Sequence, residues 1–523
     1  MSALNSQVLI VGSGPTGLTL ALWLKRLGVD IRIIDKAAGP GETSRALAVQ
    51  ARTLEFDRQL GIVDDVLAAG VKLKKLTMRV PPHGVAAELE LGNFGEGVTR
   101  YSYAFALPQD IHERVLLGHL QEAGITVERQ TELVDFEDDG SSITAKLRGR
   151  DGISFARAQY IVGCDGAHSV VRHGLKLGFP GGAYAQSFYV ADVQGEGPVT
   201  EEGLDIVLGA YGFALIMPVR QRGSLRLIGV VPERFEKEED ITFEMIRADV
   251  ERESGIKVNT VNWFSTYRVH HRVADHFRVG RAFLAGDAGH IHSPAGGQGM
   301  NTGIGDAVNL AWKLANVLQG RAKPELLDSY ESERLAFAHT LIKGTDQAFR
   351  LVSGRSLLSR IWRRFIMPHV AARMLKTKRG SRFFFGLISQ TRINYRASAI
   401  SAGGAGEVKG GDRLPWVEFG SGDNFETLKS LDWQVHVYGE ADPRFHQAIN
   451  SAGITFHRFD WSEAAGKAGL LRSAAYLVRP DGHVALACET QDAGRFENYI
   501  AELGLKPRPA NGGSEQKPLP TAA

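Results

Sequence analysis

The sequence predicts an α/β protein: a parallel sheet whose chain makes two excursions into a separate antiparallel sheet. Three observations carry this. First, the apolar run Gln7-Val8-Leu9-Ile10-Val11 passes through a glycine turn into an amphipathic helix at about residues 16–27, closed by Gly28. A second strand follows at residues 30–35, and together these make a βαβ unit, which requires parallel pairing. Second, residues 73–106 and 183–268 change to short alternating stretches. The first is broken by Pro81-Pro82, Gly84 and Gly92, and the second holds strands at 213–219 and 224–231 joined by the turn-like Gln221-Arg222-Gly223. Third, α/β patterning returns between and after these blocks, with a helix at 111–123 and strands at 160–163 and 282–285.

Further along, residues 298–318 read as one long helix with Val308, Ala311, Ala315 and Leu318 on one face, and 326–350 and 357–375 also read as helical. Residues 401–413, rich in Gly and Ala, read as a linker. A small α/β segment follows, with strands at 434–438, 454–458, 474–478 and 484–487 and a helix at 493–503. Residues 507–523 are rich in Pro, Gly and Ser and read as disordered.

A chain of 523 residues accommodates two to four domains, and 43% hydrophobic with 23% charged residues is an ordinary globular composition. With 61 basic and 59 acidic residues the net charge is +2, which supplies no reason to expect nucleic acid or a membrane as a partner. The densest basic stretch, residues 350–382, interleaves with Leu, Ile, Phe and Met. It reads as a helical surface, with a membrane-surface or partner-binding face as the alternative. Two distant cysteines, Cys164 and Cys488, make neither a disulfide framework nor a metal site and fit a cytoplasmic location. No apolar run approaches the roughly 18–20 residues needed to span a bilayer. The N-terminal apolar run leads directly into the glycine motif, unlike a secretory signal.

The motif Gly12-Ser13-Gly14-Pro15-Thr16-Gly17 follows a strand and opens a helix, and Asp35 ends the next strand. Gly12 permits the tight turn, Gly14 lets backbone approach a pyrophosphate, and Gly17 allows close packing of helix on strand. The helix N-terminus offers N–H groups to phosphates, and a carboxylate at Asp35 suits ribose hydroxyls. This is a Rossmann-like dinucleotide site, and by itself it does not separate FAD from NAD. Two later segments bear on that choice. Cys164-Asp165-Gly166-Ala167-His168-Ser169 runs on to Arg172 just after a strand. Gly286-Asp287-Ala288-Gly289-His290 continues through Pro294-Ala295-Gly296-Gly297-Gln298-Gly299-Met300-Asn301. Asp287 lies just past a strand's C-terminal edge, where open α/β sheets bind ligands. Gly296 to Asn301 leads into the long helix, whose N–H groups and dipole favour an anion such as the pyrimidine edge of reduced flavin.

Together the three motifs resemble those of the single-component flavoprotein aromatic hydroxylases, the para-hydroxybenzoate and phenol hydroxylase class, over about residues 6–400. The resemblance implies bound FAD, NADH or NADPH as reductant and O₂ as cosubstrate, with oxygen transfer through a C4a-hydroperoxyflavin to an aromatic, phenolic or polyketide-like ring. It implies FAD contacts at Gly12, Ser13, Gly14, Pro15, Thr16, Gly17, Asp35, Lys36, Arg45, Gln109, Val134, Asp165, Gly286, Asp287, Pro294, Gly297, Gly299, Met300 and Asn301. His168 and Arg172 become candidates for the NAD(P)H phosphates. Pro294 is expected beside flavin and substrate, and His290 is either a structural residue or a proton carrier. On the strand through 213–218, alternation puts Phe213, Leu215 and Met217 on one face, which either lines the substrate cavity or packs on core. Tyr189, Tyr211 and Arg220 are further substrate candidates.

These readings place the FAD-binding domain at 1–75, 106–180 and 276–345, the substrate sheet at 76–105 and 181–275, and a helical segment at 346–400. Residues 401–505 resemble the thioredoxin-like domain of phenol hydroxylase relatives, through Tyr476-Leu477-Val478-Arg479-Pro480-Asp481-Gly482-His483-Val484. They lack Cys-x-x-Cys, so packing or subunit contact is expected there rather than thiol chemistry. The tail is 506–523. Monomer and homodimer both remain open. So do a Baeyer–Villiger or epoxidising monooxygenase on the same fold and a non-catalytic FAD-binding protein.

Overall fold

A computed structural model of the chain describes residues 6–506, apart from 42–45, 82–83, 199–201, 210–211, 220–223, 237, 239, 294–295, 354–360, 376 and 421; side chains are further left out at 185, 345–353, 364 and 375. Three large sheets, beside two two-stranded ones, organise the described residues. The first has the predicted βαβ unit at its centre: strand Ser6–Val11, helix Pro15–Arg26, strand Ile31–Asp35. Its order runs Arg278–Val279, Ala282–Leu284, Gly152–Gly163, Ser6–Val11, Ile31–Asp35, Glu128–Arg129. Gly152–Gly163 is far longer than the predicted 160–163, because its first half forms an antiparallel meander with Glu132–Asp138 and Ile143–Gly149.

The two β-rich blocks do leave this sheet and meet in a second one. Lys75–Val80 and Gly84–Glu90 come from the first block, and Gly181–Glu196, Gly203–Leu208, Phe213–Pro218, Ser224–Val230 and Lys257–Val273 from the second. The blocks are joined where Gly203–Leu208 pairs parallel with Lys75–Val80. Helix Phe243–Ser254 covers one face of this sheet, in a core with Tyr189, Ala191, Val193, Val207, Ile216 and Leu227. The other face carries Val190, Leu204, Ile206, Leu215, Met217, Ile228 and Trp263, whose packing is continuous with the core of the first sheet.

The third sheet corrects one expectation. Residues 401–413 are not a linker: Ala402–Ala405 and Val408–Lys409 are strands of this sheet. The glycines there serve close backbone contact, since a Cβ on Gly403 (φ +73°) would lie 2.1 Å from the Ala487 carbonyl oxygen. The remaining order is Val484–Cys488, Ala475–Val478, Gln434–Tyr438, Thr455–Phe459, with the middle strand parallel to the last and antiparallel to its other neighbour. The tail from 507 lies outside the described residues.

Buried ion pairs fasten this C-terminal unit to the rest. Arg479 Nη1 and Nη2 donate to Glu333 at 2.8 and 3.0 Å, and Lys313 Nζ donates to the same carboxylate at 2.8 Å. Arg413 and Arg52 share Glu55, and Arg58 donates to Asp423 at 2.8 Å. Burial alone would raise the Glu333 carboxyl, but the cations of Arg479 and Lys313 outweigh it and hold the group at about 2. Glu333→Ala should cost about 3–5 kcal/mol, because it strands two buried cations. Urea unfolding measures this, and a loss below about 1 kcal/mol would show that the cluster is not what joins the units.

Candidate active site

The four central strands of the first sheet end side by side, at Leu284, Gly163, Val11 and Asp35. Each runs straight into one of the segments singled out by sequence. Backbone bonds tie the exits together: Ala285 N–H to Gly163 O at 3.0 Å, Cys164 N–H to Val11 O at 2.8 Å, and Gly12 N–H to Ile34 O at 2.8 Å. The packing there is too close for side chains. A Cβ on Gly12 (φ +101°) would lie 2.4 Å from Cys164 O, and one on Gly17 would lie 2.0 Å from Gly12 O. One on Gly286 would meet Thr16 Oγ1 at 2.6 Å, and one on Gly303, inside helix Gly299–Leu318, would meet the same oxygen at 2.4 Å. Three motifs that are far apart in sequence therefore touch through backbone.

Gly14 differs, because a Cβ there would enter open space. It is the N-cap of helix Pro15–Arg26, which no side chain caps. Helix Gly299–Leu318 likewise starts without a side-chain cap. Asp287 is exposed although Gly286, Ala288 and Gly289 around it are buried. Two uncapped helix N-termini and an exposed carboxylate at the strand ends fit a ligand with a diphosphate, a polyol and an anionic ring edge, which is the chemistry of FAD.

Asp35 also organises the loop. Its Oδ2 accepts from Ser13 N–H at 2.8 Å and Ser13 Oγ at 2.6 Å, and Oδ1 accepts from Ala37 N–H at 2.8 Å. Lys36 beside it is exposed. Thr131 N–H donates to Asp35 O, which brings Val134, in a bulge between Leu133 and Asp135, to this end of the sheet. Gln109 is the first residue of helix Gln109–Glu122, and its Nε2 donates to Glu113 at 2.8 Å. Arg45 lies outside the described residues.

Ser169 caps helix Val170–Gly174, and Asp165 supports its first turn: Oδ2 accepts from Val170 N–H at 2.6 Å, while Oδ1 is buried with no hydrogen-bond partner among the described residues. Burial raises its carboxyl above the usual range. His168 is exposed. Arg172 is 3% exposed, and both of its terminal nitrogens are engaged inside the fold. Its Nη1 donates to Ala288 O and its Nη2 to Ala167 O, both at 2.8 Å, and its guanidinium lies over Phe179 at 3.9 Å. It braces the Gly286–Gly289 turn against the Asp165 loop rather than facing outward to a phosphate.

The segment from Gly286 to Asn301 is held by residues that sequence reading missed. Asp306 sits inside helix Gly299–Leu318, and its Oδ2 accepts from Gly286 N–H at 2.9 Å and lies 2.6 Å from His290 Nε2. Arg334 donates to its Oδ1 at 2.6 Å, and also to Tyr395 Oη at 2.8 Å and Thr302 O at 3.0 Å. His290 is thereby committed to bracing the turn. Its neighbour His292 donates from Nδ1 to Ser293 O at 2.8 Å, with Nε2 buried and unpartnered among the described residues. Burial, with His290 nearby, pushes His292 down to about 4, so it is neutral near pH 7. Asn301 uses its whole side chain: Nδ2 donates to Ala48 O and Gly297 O, and Oδ1 accepts from Gln50 N–H and Thr53 Oγ1. Any contact from Asn301 to a cofactor falls to its backbone N–H. Met300 beside it is half-buried. Gly297 (φ +64°) lets the loop pass Ala48, whose Cβ a side chain would meet at 2.7 Å. Pro294 lies outside the described residues.

On the second sheet, Phe213, Leu215 and Met217 share the face turned toward the first sheet, as alternation predicts, and Phe213 and Leu215 stay half-buried. Tyr189 is a correction. It is 4% exposed on the opposite face, under helix Phe243–Ser254, because residues 188 and 190 take the inner face. Tyr211 and Arg220 lie outside the described residues. Sequence reading also missed Arg226, which alternation within the apolar stretch Leu225–Ile228 places on the inner face. It forms a two-pronged pair with Asp192, 2.7 Å on each prong, and lies over Trp263 at 6.0 Å.

Residues 5–345 match the family model described as an FAD binding domain. Over 98% of its length the chain is 32% identical to 97% of a 6-methylpretetramide 4-monooxygenase of Streptomyces rimosus. The chain belongs to the FAD-dependent aromatic hydroxylase family. A rifampicin monooxygenase of Rhodococcus hoagii is 30% identical over 93% of this chain and 96% of its own. Among solved structures, the OxyS anhydrotetracycline hydroxylase of Streptomyces rimosus superposes with TM-score 0.75 at 28% identity, covering 96% of this chain and all of that one. FAD is therefore the cofactor, and NAD(P)H and O₂ are the co-reactants usual in the family. No helix among the described residues is long and apolar enough to cross a membrane, and none of their His, Cys, Asp and Glu side chains form a metal-binding group.

Two outcomes test this site. Gly303→Ala forces a methyl into Thr16 and the Gly286 backbone, an overpacking of about 1–3 kcal/mol, so FAD affinity should fall about ten- to hundred-fold. Flavin retained after gel filtration reads it. His292 and His483 are both held near 4 by burial, below the ordinary 6.5. Between those values the unfolded chain binds protons the fold does not, so stability should fall as pH drops from about 6.5 to about 4. Melting temperature against pH checks the sign, and a rise over that window would contradict it.

Proposed function

We propose that the chain uses NADH or NADPH, FAD and O₂ to hydroxylate a polycyclic phenolic substrate of polyketide type. The observation that carries this is the inner face of the second sheet. It presents half-buried Phe213, Leu215, Trp263 and Tyr267 toward the first sheet, whose strand ends and uncapped helix carry the cofactor motifs. A large apolar wall suits a fused-ring substrate better than a small acid. Relatives named for 6-methylpretetramide, anhydrotetracycline and rifampicin support the same class.

FAD, when bound, supplies hydride acceptance from NAD(P)H and oxygen transfer to an electron-rich ring carbon. The protein's part is to bind, orient and keep water out. Gly14 and the N–H groups of helix Pro15–Arg26 take the diphosphate, Asp35 the ribose and Asp287 the ribityl hydroxyls. The N–H groups of Gly299, Met300 and Asn301 take the anionic pyrimidine edge. His168, exposed on the Asp165 loop, is the candidate for the nicotinamide nucleotide's phosphates. The inner-face apolar residues exclude water, which otherwise diverts the reaction to H₂O₂. Residues 401–505, a βαβ unit followed by a hairpin and helix, read as a thioredoxin-like unit whose role is bracing: Cys488 is buried and no Cys-x-x-Cys is present.

A panel of phenols from one ring to four tests the proposal, with NADH and NADPH compared. Fused-ring phenols should accelerate anaerobic flavin bleaching and give hydroxylated product, and Leu215→Ala should raise the H₂O₂ share several-fold. Flavin that no phenol and neither nucleotide bleaches would overturn the hydroxylase reading. Ester or epoxide products would assign the chain to Baeyer–Villiger or epoxidising chemistry.

A further inference from the structure

The near-neutral total hides a strong local charge bias. Residues 347–406 hold twelve Lys or Arg and no Asp or Glu. The remaining 49 basic and 59 acidic residues leave the rest of the chain at −10. The same segment holds six of the eleven large apolar side chains that are exposed among the described residues: Ile361, Phe365, Ile366, Val370, Phe383 and Leu387. Among the described residues of this stretch Arg373, Lys378, Arg379, Arg382, Arg392 and Arg396 are exposed while Arg363 is buried, so exposed cations and exposed apolar side chains lie on the same stretch.

The stretch is organised as helices. In Met367–Leu375 and the turn before it, exposed positions fall at Phe365, Ile366, His369, Val370 and Arg373, at spacings of three and four that make one stripe. In Lys378–Ile388 the exposed positions are Lys378, Arg379, Arg382, Phe383 and Leu387, again one stripe. Inner faces hold the helices in place: Phe385 packs edge-on against Phe94 at 4.8 Å, and Ser381 Oγ donates to Phe94 O at 3.0 Å. Phe365, Val370 and Leu387 are each more than half exposed. Lys378 is 92% exposed, and its nearest carboxylate is 4.0 Å away on Glu96.

The partner that fits this face offers both apolar depth and negative charge. A second copy docked symmetrically would set cationic stripe against cationic stripe. Nucleic acid supplies the charge but offers no apolar depth to match Val370 and Leu387. An anionic bilayer supplies both, with headgroups for Arg373, Lys378 and Arg379 and the acyl boundary for the apolar stripe, as in interfacial helices. We propose that this face docks on an anionic lipid surface, so that the enzyme is a peripheral membrane protein. That surface would also dissolve a large apolar substrate, but the docking stands whether or not the substrate class is right.

Co-sedimentation of the FAD-loaded full chain with vesicles of phosphatidylcholine, with and without phosphatidylglycerol, tests it with no assay of turnover. Binding is expected with phosphatidylglycerol and should weaken with added salt. Arg373→Glu/Lys378→Glu/Arg379→Glu should lower partitioning at least about 100-fold. Phe383→Ser/Leu387→Ser should lower it about tenfold or more while keeping its salt dependence. These positions are exposed, and flavin content and melting temperature report folding of each variant separately. The proposal is overturned if the wild-type chain does not sediment with phosphatidylglycerol, or if it binds phosphatidylcholine alone equally well. It is also overturned if either variant folds and binds as the wild type does. Loss of a dimer in the variants, read by sedimentation velocity without any vesicle binding, would assign the face to a second copy instead.

Discussion

The contact on which the site depends is backbone against backbone at the ends of four parallel strands. Gly12, Gly17, Gly286 and Gly303 let the nucleotide turn, the Asp165 loop, the Asp287 turn and the long helix close to distances that no Cβ tolerates. Dispersion and backbone hydrogen bonds hold such a contact, and its geometry is stiff because, apart from the packed Thr16 side chain, it is made of backbone. This stiffness lets loops from three parts of the chain present N–H groups and carboxylates in one fixed arrangement. A cofactor that must be held in a set pose gains from donors that need no reorganisation.

The buried charges extend that rigidity outward. Asp306 receives the Gly286 N–H and faces His290 and Arg334, so the turn, the helix and a distant helix move as one body. Asn301 ties the start of the long helix to residues 48–53, and the helix that follows carries Arg52, Glu55 and Arg58 into the C-terminal unit. The C-terminal unit therefore bears on helix Ala51–Leu60 and, through Trp312 and Asp481, on helix Gly299–Leu318, whose first turn stands at the site. Arg479 and Asp481 of that unit, with Glu333 and Lys313 of the rest of the chain, form a buried clamp whose members are costly to unpair.

Much of this was legible in the sequence, for identifiable reasons. Gly12, Gly14 and Gly17 announce themselves because a glycine turn between strand and helix has few other uses. The long helix from Gly299 to Leu318 was visible because its apolar period runs unbroken. The face of Phe213, Leu215 and Met217 followed from alternation, whereas Tyr189, one residue out of phase, turned to the other side. Residues 401–413 were misread because Gly and Ala spell a linker by composition, while here they allow strands to pack closely. Asp306, Arg334 and Glu333 were invisible, since a buried charge in a helix looks like a surface charge until its partner, tens of residues away, is placed beside it. The inner-face pair Asp192 and Arg226 was hidden for the same reason.

The central claim is that this scaffold delivers one oxygen atom from O₂ to an aromatic ring at the expense of NAD(P)H. Turnover of a fused-ring phenol under ¹⁸O₂, followed by mass analysis of the product and stoichiometry of nucleotide oxidation, tests it most directly. The account predicts a ring hydroxyl carrying a single ¹⁸O, with one nucleotide oxidised per product. A product whose new oxygen comes from water, or nucleotide oxidation that ends wholly in H₂O₂ with every phenol tried, would contradict it.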